Sequence, residues 1–486
     1  MDFLKLISMK EDIIGREIEQ RLLGECYESK KAELVALYGR RRVGKTYLVK
    51  SMYLDKFDFF ITGKYDGKLE DELALWNRKL VEYSKYPYLV PRNWNEAFLQ
   101  LKHYISSLGK KRVVIFIDEM PWLDTPKSKF VSEFENFWND WASSQKNLFM
   151  IICGSATTWM NDNVISSKGG LHNRVTRKIK LSQFNLHETE LFLRMKNINW
   201  SRHQIAECYM ILGGTPYYLD LLQGGMSLPQ NVDFLFFRNG AELFGEYKLL
   251  LKSLFKNTVI YRRIIELFAK CVKGMTRKEI CEKLKISDGG GLTDVLENLE
   301  NCDFIRSYSA FGKKERDTMY QLTDMFILFY LKFVKDSGGR DEEFWSHSID
   351  NPSKRAWTGY AFEQLCLNHI PQIKESLGIR GILSNVCSWT QKADSVRRVK
   401  GSQIDLLIER RDQVINVCEA KFSMNPYVVT KKYLDEMLQR MENFRQTTKT
   451  GYALHLTLIA SSGVASNEYS GTVQSIVTLR DLFKEL

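Results

Sequence analysis

The sequence predicts an α/β protein of several domains, the first of which is built on a parallel β-sheet. Two observations predict this class. The chain has 486 residues, enough for about three or four domains at roughly 100–200 residues each. Within residues 1–250, short apolar segments alternate with longer helical patterns. Such alternation indicates parallel strands covered by helices on both faces.

Four apolar segments of this region predict the strands of the sheet. They are rich in β-branched and aromatic residues, which favour strands. The segments are residues 34–38, 57–62, 113–117 and 148–153. Residues 185–225 then carry a helical pattern, so we expect helices to follow the sheet.

Residues 255–335 change character and predict a winged helix-turn-helix. Helical segments precede a glycine-rich turn, a further helix and two strands joined by a basic hairpin. These segments are residues 259–271, 276–284, 292–299, 304–308 and 318–322. At the hairpin tip, Lys313, Lys314 and Arg316 would suit contacts with phosphate. The alternative is a lid or a protein contact without DNA.

Residues 353–486 predict a final α/β domain. A helix around residues 361–365 precedes two strands, 404–409 and 414–420, that are spaced as a hairpin. A long helix at 433–444 and a strand at 452–459 complete the domain. Because helices and strands are mixed here, we expect a sheet with helices packed against it.

Composition and charge exclude several classes of protein. Apolar residues make up 44% and charged residues 27%, which excludes collagen-like and wholly disordered chains. Lys and Arg number 70 against 59 Asp and Glu, a net charge of +11, which permits a nucleic-acid partner without requiring one. The basic residues Arg397, Arg398 and Lys400 would suit a phosphate backbone or form a solvated loop.

Cysteine spacing and hydropathy predict a cytoplasmic protein without a membrane segment. The nine cysteines include no Cys-x-x-Cys pair, so we expect reduced thiols and neither a disulfide framework nor a zinc site. The longest strongly apolar run, residues 325–331, is too short to span a bilayer. The acidic residues Glu11 and Asp12 do not fit a signal peptide.

A phosphate-binding loop of the form Gly-x-x-x-x-Gly-Lys-Thr follows the first predicted strand and opens a helix. Its glycines allow backbone N–H groups to surround the phosphates at the positive end of the helix. Lys45 would contact the β- and γ-phosphates, and the Thr46 hydroxyl would bind Mg²⁺. The predicted ATP-binding residues of the loop are Gly39, Arg42, Val43, Gly44, Lys45 and Thr46.

Two acids follow the apolar strand at residues 113–117 and complete the predicted site. Asp118 would hold the hydrated Mg²⁺, and Glu119 would polarise the attacking water as a general base. Acids at the end of a buried strand are costly unless a cation meets them. The alternative is a pair of solvated acids in a turn.

Three further side chains are candidates for contact with the γ-phosphate. Ser155 follows the strand at 148–153 and would touch the γ-phosphate or the water, or would cap the next helix. Arg174 and Arg177 could each spread the charge of the transition state. Ordinary salt bridges are the alternative for both arginines.

These motifs resemble the archaeal-type P-loop ATPases, a branch of the AAA+/STAND lineage. The resemblance covers about the first 250 residues, and the predicted winged helix continues it. It implies that Gly15 and Arg16, in Ile-Ile-Gly-Arg-Glu, lie near the adenine. It also implies that Pro216, in Gly-Thr-Pro, contacts the nucleotide from the helical lid, although a helix-breaking turn explains this motif equally well.

Carboxylates in the last domain predict a second metal site. Glu419 and Lys421 share one face of a strand because side chains alternate, and a hairpin could bring Asp405 onto that face. Glu363, on the preceding helix, could complete the cluster. Carboxylate oxygens suit Mg²⁺ or Mn²⁺, which can activate water against a phosphodiester with help from Lys421. The alternative is a surface hairpin with a common Glu–Lys pair.

The order Glu363, Asp405, Glu419-x-Lys421 resembles the PD-(D/E)xK, or restriction-endonuclease-like, superfamily. The match covers about 130 residues. It departs from the family pattern at Gln403 and Ile404, since the usual proline before the first acid is absent. The resemblance implies a metal-dependent nuclease, and this departure puts cleavage in question.

Taken together, the motifs predict an ATPase whose nucleotide state controls a DNA nuclease-like domain. The alternative is an ATP-dependent switch that binds DNA or a protein partner without cleaving. We expect ATP, Mg²⁺ and DNA as ligands, with a homo-oligomer or a protein partner left open. The predicted domains are an ATPase core at 1–182, a lid at 183–250, a winged helix at 251–340 and a nuclease-like domain at 341–486.

Overall fold

A computed structural model describes residues 13–155, 157–165, 171, 173–255, 257–271, 273–312, 317–337, 341–348, 351–391 and 401–486. The chain forms two compact units, residues 1–182 with 252–256 and residues 183–251 with 257–486. The predicted hairpin-tip residues Lys313, Lys314 and Arg316 lie outside the described residues, as do Arg397, Arg398 and Lys400.

The first unit is a five-stranded sheet with helices between its strands. Its elements are α1 (Glu17–Glu28), β1 (Glu33–Tyr38), α2 (Lys45–Tyr53), β2 (Phe57–Thr62), α3 (Leu69–Ser84), α4 (Trp94–Ser107), β3 (Val113–Asp118), α5 (Met120–Leu123), α6 (Phe130–Asp140), β4 (Leu148–Gly154), α7 (Thr157–Met160) and β5 (Arg177–Lys180). The strand order is β2-β3-β4-β1-β5, and every pair is parallel. The prediction of a parallel sheet is confirmed. The strand β5 was not predicted because three of its four residues are basic.

Burial on both faces explains why the central strands are almost wholly apolar. Leu34 and Ala36 of β1 belong to one core cluster, and Val35 and Leu37 belong to the cluster on the other face. Each strand therefore contributes alternate side chains to two cores. Because β4 lies between β1 and β3, the carboxyl ends of these three strands are neighbours at one edge of the sheet.

The second unit begins with short helices. They are α8 (Leu186–Met195), α9 (Arg202–Leu212), α10 (Pro216–Asp220), α11 (Leu228–Val232) and α12 (Glu246–Leu254). Capping boxes start α8 at Asn185 and α9 at Ser201, where each side chain accepts from a backbone N–H three residues on. These caps satisfy N–H groups that a helix start otherwise leaves unpaired.

Residues 258–322, which we call the three-helix module, follow. Its elements are α13 (Thr258–Lys270), β6 (Met275–Thr276), α14 (Arg277–Leu284), α15 (Gly290–Asn301), β7 (Ile305–Tyr308) and β8 (Met319–Leu322). The strands form an antiparallel sheet in the order β6-β8-β7. This module lies where the sequence predicts a winged helix.

The remaining elements lead into residues 352–486, the C-terminal domain. They are α16 (Met325–Phe329), α17 (Phe344–His347), α18 (Pro352–Asn368), α19 (Ile370–Ser376), β9 (Ser384–Gln391), β10 (Ser402–Arg410), β11 (Val414–Lys421), α20 (Lys431–Thr448), β12 (Ala453–Ala460), β13 (Ser475–Thr478) and α21 (Leu479–Leu482). The sheet order is β13-β12-β11-β10-β9, antiparallel from β9 to β11 and parallel from β11 to β13. The domain is therefore a mixed α/β sheet. Its core includes Leu407, Val417 and Met437.

The helices and the cysteines can be compared with what the sequence predicts about membrane segments and disulfides. Among the described residues, no helix is both long and apolar enough to cross a membrane. All nine cysteines lie among the described residues, where none forms a disulfide, and seven of them are buried.

Candidate functional site

The phosphate-binding loop connects β1 to α2 in a conformation that its glycines permit. Gly39 has a φ of +144°, and a Cβ there would lie 2.2 Å from the carbonyl oxygen of Leu181. Gly44 has a φ of +92°, which only glycine adopts without strain. The Lys45 ammonium donates to the carbonyl oxygens of Gly39 and Arg40, each over 2.8 Å. The loop is therefore closed around its own lysine, with that positive charge held inside it.

Thr46 and Asp118 form the predicted Mg²⁺-binding pair. The Thr46 hydroxyl donates to Asp118 Oδ2 over 2.9 Å, and the backbone N–H of Glu119 donates to Asp118 Oδ1 over 3.1 Å. Asp118 is only 2% exposed. An adjacent hydroxyl and carboxylate are hard oxygen donors that fit Mg²⁺. The ion would neutralise charge on the phosphates, while these two side chains hold it beside the loop.

Glu119 is held by the neighbouring strand β4. The Ser155 hydroxyl donates to Glu119 Oε2 over 2.7 Å, and the Ser155 backbone N–H donates to the same oxygen over 3.1 Å. Glu119 itself lies in the left-handed region with a φ of 46°. Ser155 therefore holds the carboxylate of Glu119, a contact that the sequence did not predict, while its contact with the γ-phosphate stays a prediction.

Gly15 and Arg16 form a left-handed turn at the start of α1. Their φ angles are 63° and 64°. The Arg16 guanidinium donates to the carbonyl oxygen of Ser182 over 2.6 Å, and Gln20 Nε2 donates to the carbonyl oxygen of Gly15 over 2.8 Å. This turn is tied to the segment after β5, and its contact with adenine stays a prediction.

The structure does not bring Arg177 to the phosphate loop. Arg177 is the first residue of β5 and pairs with Val35, whereas the loop follows Tyr38 at the other end of β1. Three residues of strand span about 10 Å, and the Arg177 guanidinium donates to the carbonyl oxygen of Thr176. Strand β5 therefore places Arg177 at the amino edge of the sheet, and its contact with the γ-phosphate stays a prediction that this placement does not support.

The contacts of Arg174 and Pro216 with the nucleotide stay predictions. Arg174 is exposed in a turn before β5, and its backbone N–H donates to the carbonyl oxygen of Leu171 over 2.9 Å. Pro216 is the first residue of α10 in the second unit. Gly214 explains the rigidity of this turn, since a Cβ there would lie 1.8 Å from the carbonyl oxygen of Phe184.

Three carboxylates of the C-terminal domain line one small cavity. Glu363 of α18, Asp405 of β10 and Glu419 of β11 all contribute to its wall. Lys421 Nζ donates to Glu419 Oε1 over 2.8 Å, and Arg440 donates to Glu419 Oε2 over 3.4 Å. The structure therefore brings together all four residues that the sequence singled out.

Strand β10 has a β-bulge beside Asp405 in its pairing with β9. Ile404 pairs with Trp389 of β9, but Leu407 pairs with Cys387, so β10 has one extra residue between these pairs. On the other side Leu406 pairs with Cys418, and the next position of this register places Asp405 opposite Glu419. Bulges commonly redirect a side chain beside a functional site.

Burial governs the pKa values of two of the three carboxyl groups in the cluster. Burial, and then the charges of Asp405 and Glu419, raise the pKa of Glu363 to about 7. Burial also raises the pKa of Asp405, against a hydrogen bond from Gln403 that lowers it. Among the described residues, no group of three or more His, Cys, Asp or Glu is arranged to hold a metal ion as it stands. The donor set is nonetheless all carboxylate oxygen, which suits Mg²⁺ or Mn²⁺.

A family comparison bears directly on the nucleotide site. Residues 14–222 match the model of an ATPase domain predominantly from Archaea. Residues 14–222 are a P-loop ATPase domain. The match contains the phosphate loop, Asp118, Glu119, Ser155 and the first helices of the second unit, and the chain is therefore an ATPase.

Other similarities extend beyond this ATPase domain. An uncharacterized protein of Methanocaldococcus jannaschii is 25% identical over 391 residues, which are 79% of this chain and 83% of that protein. The Walker-type ATPase of Pyrococcus abyssi has a TM-score of 0.49 at 20% identity and covers 67% of this chain and 97% of its own. The ORC2 protein of Aeropyrum pernix has a TM-score of 0.41 at 14% identity and covers 66% and 95%.

Arg440 is a site residue that sequence reasoning missed. It belongs to α20, where it stands three residues after the buried Met437, and it reaches Glu419 only because α20 packs against β10 and β11. A polar residue in an amphipathic helix carries no signal of such a contact. In the C-terminal domain, therefore, short motifs identified the acids and Lys421 but not Arg440.

Proposed function

We propose that the nucleotide state of this ATPase controls a metal-dependent DNA nuclease in its C-terminal domain. The observation that carries the proposal is the shared cavity of Glu363, Asp405 and Glu419, with Lys421 bonded to Glu419. The carboxylates would hold Mg²⁺, which polarises a phosphodiester and lowers the pKa of a bound water. Lys421 would stabilise the negative charge that develops on the phosphate.

Ring contacts between the lid and the carboxylate strands support the control by nucleotide. The ring of His203, on α9, stacks on Phe422 with centroids 4.1 Å apart, and Phe422 directly follows Lys421. Phe422 also contacts Phe362, 5.1 Å between centroids, and Phe362 directly precedes Glu363. A shift of α9 on nucleotide binding would therefore move residues adjacent to two members of the cluster.

A second lid contact reaches the same helix, α18. The backbone N–H of Leu186, the first residue of α8, donates to Nε2 of His369 over 3.0 Å. His369 Nδ1 lies 2.8 Å from the carbonyl oxygen of Leu365, so the acceptor role of Nε2 requires the proton on Nδ1. His369 is fully buried. The start of the lid is thus fixed to the helix that bears Glu363.

The charge of α15 favours DNA contact at the cluster over readout by the three-helix module. In a winged helix, the equivalent helix enters the major groove. Here α15 contains no Lys or Arg, and it exposes Asp294 and Glu297. These acids would repel phosphate. We therefore place the DNA along the C-terminal domain.

A nicking assay tests the proposal. Supercoiled plasmid is incubated with the full chain and Mg²⁺ or Mn²⁺, with and without ATP. We expect metal-dependent nicking that changes with ATP and is lost in Lys421→Ala, while Lys432→Ala, an exposed lysine of α20, behaves as wild type. His203→Ala should still nick but lose the response to ATP. Absence of nicking by wild type, or equal nicking by Lys421→Ala, would overturn the nuclease proposal.

A switch that binds without cleaving is the second candidate. It is favoured by Lys421 and Arg440, which already contact both oxygens of Glu419, and by the absent proline before Asp405. This candidate predicts retardation of DNA with no nicks under any metal. The same plasmid assay, followed by native gel electrophoresis, separates the two.

A further inference from the structure

The turn between α13 and β6 presents one lysine in a fixed position. The backbone N–H of Gly274 donates to the carbonyl oxygen of Cys271 over 3.0 Å, and the Tyr308 hydroxyl donates to the carbonyl oxygen of Lys273 over 2.9 Å. Gly274 has a φ of +76°, and a Cβ there would lie 3.0 Å from the carbonyl oxygen of Tyr320. The Tyr308 hydroxyl thus ties the carbonyl group of Lys273 to β7, while the Lys273 side chain is exposed.

The exposed side chain of Lys273 faces the carboxylate cluster of the C-terminal domain. Lys273 lines a groove together with Asp405, Gln403 and Arg440. Its positive charge acts on the carboxyl groups of both Asp405 and Glu363, lowering pKa values that burial raises. The three-helix module therefore contributes a cation to a groove whose acids belong to another domain.

Packing, and not a linker alone, holds the module at this groove. The backbone N–H of Phe311 donates to the carbonyl oxygen of Ser388 in β9 over 2.8 Å, next to a bridge between Ala310 and Ser388. The Phe311 ring contacts Phe444 of α20, with centroids 4.9 Å apart. The hairpin base that follows β7 is thus docked on the C-terminal sheet, which packs the three-helix module against the C-terminal domain.

We infer that Lys273 of the three-helix module, with Arg440 of α20, binds the phosphate backbone of nucleic acid beside the carboxylate cluster. The inference rests on the proposed function and names how its substrate is held. Carboxylates repel phosphate until a metal is bound, so a groove for a polyanion needs fixed cations. Two further acids, Asp435 and Glu436, also line the groove. Their negative charges would repel phosphate as well, so fixed cations are needed all the more. A lysine is a compact charge suited to a single phosphate contact.

Salt-dependent DNA binding tests this inference independently of cleavage. A fluorescent DNA duplex is titrated with the full chain by anisotropy over a range of salt concentrations, without Mg²⁺ or Mn²⁺. We expect Lys273→Ala to weaken binding about 3- to 10-fold and to reduce the slope of log K against log salt by about 1. Lys273→Arg, which keeps the charge, should retain most of the affinity.

Lys270→Ala is the matched control, since Lys270 ends the same helix but lines a different groove. It should leave both the affinity and the slope unchanged. Equal effects of Lys273→Ala and Lys270→Ala, an unchanged slope in Lys273→Ala, or no DNA binding by wild type would overturn the inference. Binding that depends on Lys273 in a wild type that makes no nicks would keep the inference and refute only the nuclease. A thermal unfolding midpoint equal to that of wild type shows that each variant is folded.

Discussion

Replacing Ser155 with alanine tests whether β4 orients the predicted general base. The Ser155 hydroxyl and backbone N–H donate to the same oxygen of Glu119, over 2.7 and 3.1 Å, and the substitution removes only the hydroxyl. A hydrogen bond to a charged group contributes about 1.5–3 kcal/mol. Because one donor remains, we expect a loss of about 1.5–2 kcal/mol, which corresponds to a roughly 10- to 30-fold lower kcat.

Steady-state ATP hydrolysis measures this effect, and titration with a fluorescent ATP analogue measures affinity. We expect kcat to fall while affinity is retained. In a Glu119→Gln background, Ser155→Ala should lower kcat no further, because the carboxylate it orients is already gone. An unchanged kcat would refute the reasoning. So would weaker ATP binding at an unchanged kcat, which would place Ser155 on the nucleotide itself.

Two other predictions concern the nucleotide site and the acid stability of the second unit. Lys45→Ala should abolish ATP binding, and hydrolysis by this variant would contradict the assignment of the phosphate loop. Glu119→Gln should keep ATP binding and lower turnover by about 10²- to 10⁴-fold. Burial lowers the pKa of His369 from 6.5 to about 4, so the stability contributed by its neutral ring is present above pH 6.5 and is lost as the pH falls toward 4. Between these pH values the unfolding free energy of wild type should fall by roughly 3 kcal/mol more than that of His369→Gln, and equal falls in a denaturant titration would exclude this role.

Strands β1 to β4 of the first unit could be predicted because burial leaves an apolar segment in the sequence of each. The same reasoning failed for β5, an edge strand with three basic residues that begins at Arg177. In the C-terminal domain the alternation of side chains correctly placed Glu419 and Lys421 together. It gave no sign of the bulge beside Asp405, since that bulge depends on the pairing of β10 with β9.

The sequence by itself determined the nucleotide chemistry of this protein. A phosphate loop consists of consecutive residues, so their spacing in the sequence determines how its glycines, Lys45 and Thr46 lie relative to one another. The tertiary structure alone decided which side chains meet across elements. Ser155 reaches Glu119 because β4 lies beside β3, and Lys273 reaches the groove of Asp405 because the hairpin base docks on β9. Contacts of that kind depend on strand order and domain packing, which no local pattern of residues encodes.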